Sequence, residues 1–585
     1  MMLKRILSLL MVLLLAFSLC SCSFEEATNT NLGTTINKEE ISAEESIHIR
    51  DKDLLYGLYD NTEIVTMYLT VSTGNEGEGT NHTWEEVNTY SVYDYDRMGV
   101  DRYKVAGLLQ VGDQNGLIAG EFGYGQVAPN CTVQIRGQSS SRNPQKNYKI
   151  SIKDNKGDWR GQTTIALNKH QGDGLRFRNK LAFDMLADID ELFSLRTTFV
   201  RLYVKDTTKG GNAKFEDYGI YTQVEQLNKT ALKAHGLDNR GHLYKVNFCE
   251  FYRYEDTIVL KDDPKYDLKK FEEILEVKGD DDHTKLINML EMVNDFSIPI
   301  EEIAEKYFDI ENIAYWMAFN LMIGNIDTQS RNFYIYSPQN TERWYILPWD
   351  IDGMLRRTEY SLLGRSDYEE WESGVSNYWG NVLFQRLLKS EVYRAELDKA
   401  VKALKAKFTP EYITPRVKTY ADLLKPLIYK GRDLIYAPLT KTNYDKVANG
   451  ISAEIADNYK RYEESLQKPM PFYIGTPNKT DKGYTVSWDS SYDFNGEDVN
   501  YTFTLAKDIN FKQVLFKSAD TEIPTVSLDK LPEGQYFMKV TSKNESGKTQ
   551  YAFDCYRTEL GKVYGVKCFY VDKDGNITED IYVED

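Results

Sequence analysis

Residues 325–352 read NIDTQSRNFYIYSPQNTERWYILPWDID. Two short apolar runs, FYIY at 333–336 and WYILPWD at 344–350, are separated by Ser337-Pro338-Gln339-Asn340, which is turn chemistry between strands. The pattern predicts a hairpin. Just upstream, Ile313, Trp316, Met317 and Leu321 recur at helical spacing and the run stops at Gly324, as a helix ended by glycine does. Asp327 and Asn332 therefore flank one loop, Asp350 emerges from the returning strand, and Asp352 follows it. Two carboxylates about 4 Å apart repel by about 4 kcal/mol at an effective dielectric of 20, and a divalent cation offsets that cost. Asp and Asn at loop ends also serve as caps, but the apolar WYILPW needs no pair of acids after it to make a turn.

Upstream, residues 136–154 read RGQSSSRNPQKNYKISIKD, a Gly/Ser-rich turn between two strand candidates. Ser139 and Ser140 in such a turn, with Lys146 and Lys149 just after it, can cover and grip phosphates; a flexible hairpin with solvated lysines is the plainer alternative. Further on, GIYTQVEQLNKTAL is a strand ending near Glu225 and giving way to a helix, where a connection between lobes would pass an adenine ring. A helix, a loop with Asp327 and an Asn five positions on, a hairpin and then Asp350 repeat the layout of a protein-kinase catalytic loop and metal site.

The remaining blocks frame these motifs. EIVTMYLTV and CTVQIRG alternate as strands, RNKLAFDML has helical spacing, TTFVRLYV returns to strand, and helices follow through EEIAEKYF to a long run from Asn377 to about Lys468. From Pro469, short alternating segments with turn residues between them, including Trp488 and Tyr536, resemble a fibronectin type III sandwich. The tail from 557 to 585 is expected to add a hairpin. Its Asp572-Lys573-Asp574-Gly575-Asn576 lacks the glutamate a calcium loop requires, so a turn is expected there.

At 585 residues, 41% hydrophobic and 27% charged, the chain is long enough for several domains. A net charge of −18 argues against nucleic acid as a partner, because counterion release needs a basic surface. The N-terminus, MMLKRILSLLMVLLLAFSLCSC, has a basic start, a short apolar run and small residues before cysteine, as an export signal does. Leu19-Cys20-Ser21-Cys22 resembles a bacterial lipobox, which implies lipidation of Cys22; an ordinary secretory signal with incidental cysteines is the alternative. Residues 22–53 then read as a polar tether. Cys131, Cys249, Cys555 and Cys568 lack the close pairing of a zinc site and leave a disulfide or buried thiols open.

Taken in order, VQIRGQSSSRNPQKNYKISI, RNKLAFDML, GIYTQVEQLNKTAL, HLYK, GNIDTQSRNFYIY and LPWDIDG resemble the spore coat protein H (CotH) family of secreted, atypical protein kinases. The resemblance implies an α+β fold with a β-rich first lobe and a helical second lobe over residues 54–468, followed by a C-terminal β-sandwich at 469–556. It implies ATP and Mg2+, and phosphorylation of serine-rich extracytoplasmic proteins. Asp327 would be the catalytic-loop acid, Asn332, Asp350 and Asp352 the metal-site residues, and Lys149 or Lys146 the phosphate-contacting lysine. Asn325-Ile326-Asp327 stands in place of His-Arg-Asp and no G-x-G-x-x-G loop is present. The expected location is the bacterial cell membrane, facing outward as a lipoprotein. A catalytically silent surface binder of the same fold is the competing class, and a glycosidase ranks last because no acid/base pair is placed beyond this cluster.

Overall fold

In Ile64–Ser72, Val65, Met67, Leu69 and Val71 alternate with more exposed neighbours, the period of two that seats one face of a strand in a core. The computed structural model describes residues 48–579 apart from 50, 52–54, 57–61, 366–369 and 559–560, so the export signal, Cys22 and most of the tether lie outside the described residues. The first lobe contains β1 (Ile64–Ser72), β2 (Val105–Asp113), β3 (Gly116–Leu117), β4 (Cys131–Arg136), β5 (Asn147–Ile152), β6 (Thr164–Asn168), β7 (Thr197–Asp206) and β8 (Glu216–Glu225). Their order is β1-β7-β8-β6-β5-β4-β2-β3, and β1 also pairs with β2. Seven strands thus close into a barrel, which removes exposed sheet edges. Met67, Leu69, Leu109, Val133, Ile135, Ile150 and Leu202 fill its interior, each such side chain contributing about 1.5–3 kcal/mol by burial. In β5, Tyr148, Ile150 and Ile152 face this core, which turns Lys149 outward.

The second lobe carries its own sheet as well as helices. β9 (His242–Val246), β10 (Leu275–Val277), β11 (Phe333–Ser337) and β12 (Tyr345–Pro348) are arranged β10-β9-β11-β12, all antiparallel. The expected hairpin is therefore the β11–β12 half of a four-stranded sheet, with Ile335 opposite both Ile346 and Tyr244. Three helices bear on the site: α1 (Arg178–Leu186), α2 (Ile310–Ile323) and α3 (Lys441–Ser465). The long helical run is divided, with breaks between Val382–Lys389, Glu391–Lys407, Pro410–Ile428 and α3. No helix among the described residues is long and apolar enough to cross a membrane.

Beyond Met470, two sheets face one another over a shared core. The first holds β13 (Asn478–Lys479), β14 (Gly483–Ser487) and β17 (Thr525–Asp529); the second holds β15 (Val499–Ala506), β16 (Val514–Lys517), β18 (Gly534–Asn544), β22 (Val566–Val571) and β23 (Ile577–Glu579). Trp488, Phe503, Tyr536, Met538 and Phe569 lie between them, and Tyr536 Oη donates to the Pro532 carbonyl at 2.6 Å. β22 pairs along β18, so the tail hairpin extends the second sheet rather than standing apart. Its turn is held by Asp572, whose Oδ1 accepts from Asp574 N and Asn576 N. A smaller hairpin, β20 (Cys555–Thr558) with β21 (Gly561–Tyr564), lies between β19 (Thr549–Tyr551) and β22. No disulfide is formed among the described residues: Cys131, Cys249 and Cys568 are buried, and Cys555 is exposed.

Candidate active site

The loop after α2 is set from below. Gly324, at φ +60, ends the helix with its N–H on the Asn320 and Leu321 carbonyls, a left-handed cap that glycine adopts without strain. Asn325 turns inward and donates to Asn320 Oδ1 at 3.0 Å. The loop carbonyls are then taken up by neighbours: Asn377 donates to Ile326 O at 3.2 Å, Asn381 to Gln329 O at 2.8 Å, and Cys249 N to Ser330 O at 2.8 Å. Held on these points, the loop presents Asp327 outward, with 59% of its side chain exposed. Asn332 Nδ2 donates to Asp327 Oδ2 at 2.8 Å, and Arg331 Nε stands 3.7 Å from the other oxygen. Desolvation by the surrounding cleft still raises the Asp327 carboxyl above the ordinary range, against the opposing pull of Arg331 and Asn332.

The second group of acids lies just past β12. Asn332 at φ +63 and Asp350 at φ +53 both occupy the left-handed region, a conformation that side chains other than glycine adopt only where their surroundings impose it. Among the described residues Asp350 has no hydrogen-bond or ion-pair partner, while Asp352 Oδ2 lies 3.1 Å from His170 Nδ1. The far ring nitrogen of His170 is 3.2 Å from Asn179 Nδ2. Their titration separates accordingly. Desolvation, joined by the charge of Asp352, pushes Asp350 up to about 6. Desolvation also acts on Asp352, but the His170 hydrogen bond and the His170 and Arg356 charges outweigh it and hold that group low.

Facing these acids is a cationic patch. Arg136 and Lys245 act electrostatically on Asp350, and Arg136 lies over Trp349, 6.0 Å from the ring centroid. Lys149 has no carboxylate partner among the described residues; desolvation first, then Lys278, Lys104, Arg102 and Arg136, lowers its pKa. Such a lysine suits an incoming anion. Lys146 points elsewhere, donating to the Ser141 carbonyl at 2.6 Å and lining a separate cavity of about 710 Å³ with Asp94, Arg97 and Arg142. Ser139 is exposed on the turn, and Ser140 Oγ accepts from Asn147 at 3.0 Å. Glu225 does close β8, but its carboxylate is buried, 2.5 Å from Arg196 and 2.9 Å from His235. Those partners overcome its desolvation and hold it down at about 2, while the Asp51 and Glu225 hydrogen bonds, against desolvation, raise His235 to about 9.

A wholly buried ion cluster ties α1 to the chain following Asp352. Arg178 Nη1 contacts Asp173 and sits 2.6 Å from Glu359 Oε2; Arg356 Nη1 is 3.2 Å from Glu359 Oε1. Arg178 Nε donates to the Leu355 carbonyl at 3.0 Å. A second tie joins β8 to the helical segment Gly431–Ile435: Asp433 accepts from Ile220 N and pairs with buried Lys169 at 2.7 Å. Gly219, at φ +80, permits this approach, since a Cβ there would collide with the Asp433 carboxylate. His170, Asn179, Asp173, Arg178 and Glu359 were not singled out by sequence. Only RNKLAFDML gave a signal, its cations standing at the start of an otherwise apolar helix.

Residues 133–462, more than half of the chain, match the family described as CotH kinase protein. The chain belongs to the CotH kinase family. The inner spore coat protein H of Bacillus subtilis (strain 168) is 24% identical over 315 residues, covering 52% of this chain and 80% of that protein. Among solved structures, the Helicobacter pylori proinflammatory kinase CtkA covers 54% of this chain and 94% of its own at 10% identity, with a TM-score of 0.25. The twitchin kinase region of C. elegans matches 17% of this chain and a fifth of its own length, at 17% identity and a TM-score of 0.12. The CotH match brackets all of the cleft residues described above from Arg136 to Asp433.

The donor set of this CotH cleft is suited to magnesium of the nucleotide-bound kind. Among the described residues no three His, Cys, Asp or Glu side chains are grouped to hold a metal by themselves. Magnesium bound with nucleotide takes only one or two protein carboxylates and completes its shell with phosphate oxygens and water. Asp350, with a raised pKa and no hydrogen-bond or ion-pair partner among the described residues, could supply such a carboxylate. Asn332, whose Nδ2 is engaged by Asp327, keeps its Oδ1 as a further donor.

Proposed function

We propose that this CotH-family chain is an exported, membrane-anchored protein kinase that transfers the γ-phosphoryl group of ATP to serine or threonine of extracytoplasmic proteins. The observation that carries the reading is the division among the three acids. Asp327 is open, fixed at one oxygen by Asn332 and raised in pKa; Asp350 has no hydrogen-bond or ion-pair partner among the described residues; Asp352 is occupied by His170. Asp327 is the group that receives the acceptor proton as the hydroxyl oxygen bonds to the γ-phosphorus and the bond to the β,γ-bridging oxygen breaks, releasing ADP. Magnesium, when bound, neutralises the phosphate charge beside Asp350 and Asn332. Lys149, with Arg136 beside it, orients the phosphates from the first lobe. Asp352 fixes His170 and, through it, the start of α1.

The Trp488 core and the Tyr536–Pro532 hydrogen bond support a fibronectin type III-like reading of the C-terminal sandwich. The lipobox-like residues before Cys22 support the anchor. Incubation of the purified chain with labelled ATP, magnesium and a serine-rich protein tests the activity. Label on serine or threonine supports it, whereas absence of nucleotide binding would favour the silent surface binder.

A further inference from the structure

Between the β4–β5 turn and the helix Val92–Met98 lies a cavity of about 710 Å³ that none of the acids after α2 or β12 lines. Ser141, on the turn, ties its two sides together: the Oγ accepts from Val92 N at 3.0 Å and donates to the Gln138 carbonyl at 2.6 Å. Lys146 lines the cavity and is only 8% exposed. Its ammonium donates to the Ser141 carbonyl at 2.6 Å, which leaves two of its three N–H groups, and it has no carboxylate partner among the described residues. Asp94, whose charge reaches it, is engaged elsewhere. One Asp94 oxygen accepts from Ser91 N and Ser91 Oγ at 2.7 and 2.6 Å, and the other is paired with Arg97. A buried cation in that condition is costly, and an anion offsets the cost. Arg142 adds a second cation. Its guanidinium lies over Tyr93, 3.8 Å from the ring centroid, and makes no hydrogen bond or ion pair with a described residue, so its donor edge is open to a ligand. Arg97, Arg142 and Lys146 outweigh Asp94 and Asp96 by one charge around the cavity, on a chain of net charge −18.

We propose that this cavity binds a phosphate monoester, its phosphoryl oxygens on the Lys146 ammonium and the Arg142 fork. A tetrahedral dianion answers two cations with its charge and offers an oxygen to each, whereas a carboxylate carries one charge. The volume falls in the range of small-ligand sites and leaves room for the organic part beyond the phosphoryl group. Phosphoserine in a protein and a free organic phosphate present the same group. Bound there, the ester bridges the two elements that Ser141 joins, and so steadies the turn between Arg136 and Lys149. The site does not depend on the kinase reading, and its test omits nucleotide and magnesium.

Calorimetry on the full chain compares O-phospho-L-serine, a peptide with and without phosphate on its one serine, and inorganic phosphate. Both phosphorylated compounds are expected to bind, and the unphosphorylated peptide is not. Equal affinity for the amino acid and the phosphopeptide upholds the site with a free organic phosphate as sufficient; a tighter phosphopeptide upholds it with a phosphoprotein as the source. Lys146→Met should weaken binding by about 10-fold or more, the loss of one charge-assisted hydrogen bond. Arg142→Gln, at an exposed position where folding is little at risk, should weaken it by about 5-fold. Lys149→Met, in the cleft, should leave it unchanged. Absence of binding by both esters, affinity unaffected in Lys146→Met and Arg142→Gln, or binding lost in Lys149→Met overturns the site. Inorganic phosphate held as tightly as the esters overturns its assignment to a monoester.

Discussion

Replacing Glu359 with Gln probes the buried cluster that anchors the chain just beyond Asp350 and Asp352. Two cations, Arg178 and Arg356, face two anions, Asp173 and Glu359, and all four side chains are buried. Gln at this position keeps an acceptor for one guanidinium but leaves the cluster with one uncompensated positive charge. Breaking a buried pair from one side costs about 3–5 kcal/mol, and the retained acceptor argues for the lower end. With a urea m-value of about 3 kcal/mol/M, that is a fall of about 1 M in the unfolding midpoint followed by tryptophan fluorescence. The double variant Arg178→Met/Glu359→Met removes one charge of each sign and should cost less than Glu359→Gln alone. A midpoint unchanged in Glu359→Gln, or a double variant less stable than the single, would refute this account of the cluster.

Three further outcomes are expected. Magnesium with ATP should raise the melting temperature by mass action, and Asp350→Asn should abolish the rise. Because the folded pKa of Asp350, about 6, lies above the unfolded carboxylate value, the stability it contributes is present at low pH and lost as pH rises through about 6; the magnesium shift should therefore be small at pH 5 and large at pH 7.5. Lys149→Met removes a partly buried cation with no carboxylate partner among the described residues, so the apoprotein should be at least as stable as the wild type while nucleotide stabilisation falls; a loss of apoprotein stability would contradict its proposed role as a ligand-facing lysine. Cys22→Ala should move the chain from the membrane to the soluble fraction, and unchanged retention would refute the anchor.

Local pattern made the centre of the site legible. The apolar runs around Ser337-Pro338 dictated β11 and β12, the α2 spacing ended at Gly324, and Asp327, Asn332 and Asp350 followed from those placements. Alternation in NYKISI also separates Lys149 from the core-facing Tyr148 and Ile150. What pattern could not supply was pairing across long separations. HLYKV becomes β9 only because β11, some ninety residues later, lies beside it. His170 meets Asp352 across 182 residues, and Glu225, whose place at a strand end suggests a nucleotide-binding residue at the lobe connection, is engaged by Arg196 and His235 in a buried network that no local motif marks. The packing of the sandwich against the chain at 371–379 depends on Trp371, Phe553 and Tyr564, aromatics that nothing local sets apart in a chain with 13% aromatic residues.

Phosphotransfer by Asp327→Asn, measured beside nucleotide affinity in the same preparation, bears most directly on the central claim. Asn keeps the shape of the side chain and removes its charge and basicity. With labelled ATP, magnesium and a serine-rich acceptor, transfer should fall by about 10²-fold or more, the scale of losing a general base. Calorimetric affinity for magnesium–ATP should stay within a few fold, because Asn332, Asp350 and Lys149 are untouched. Wild-type protein that transfers phosphate, with Asp327→Asn equally fast, would contradict the assignment of this loop.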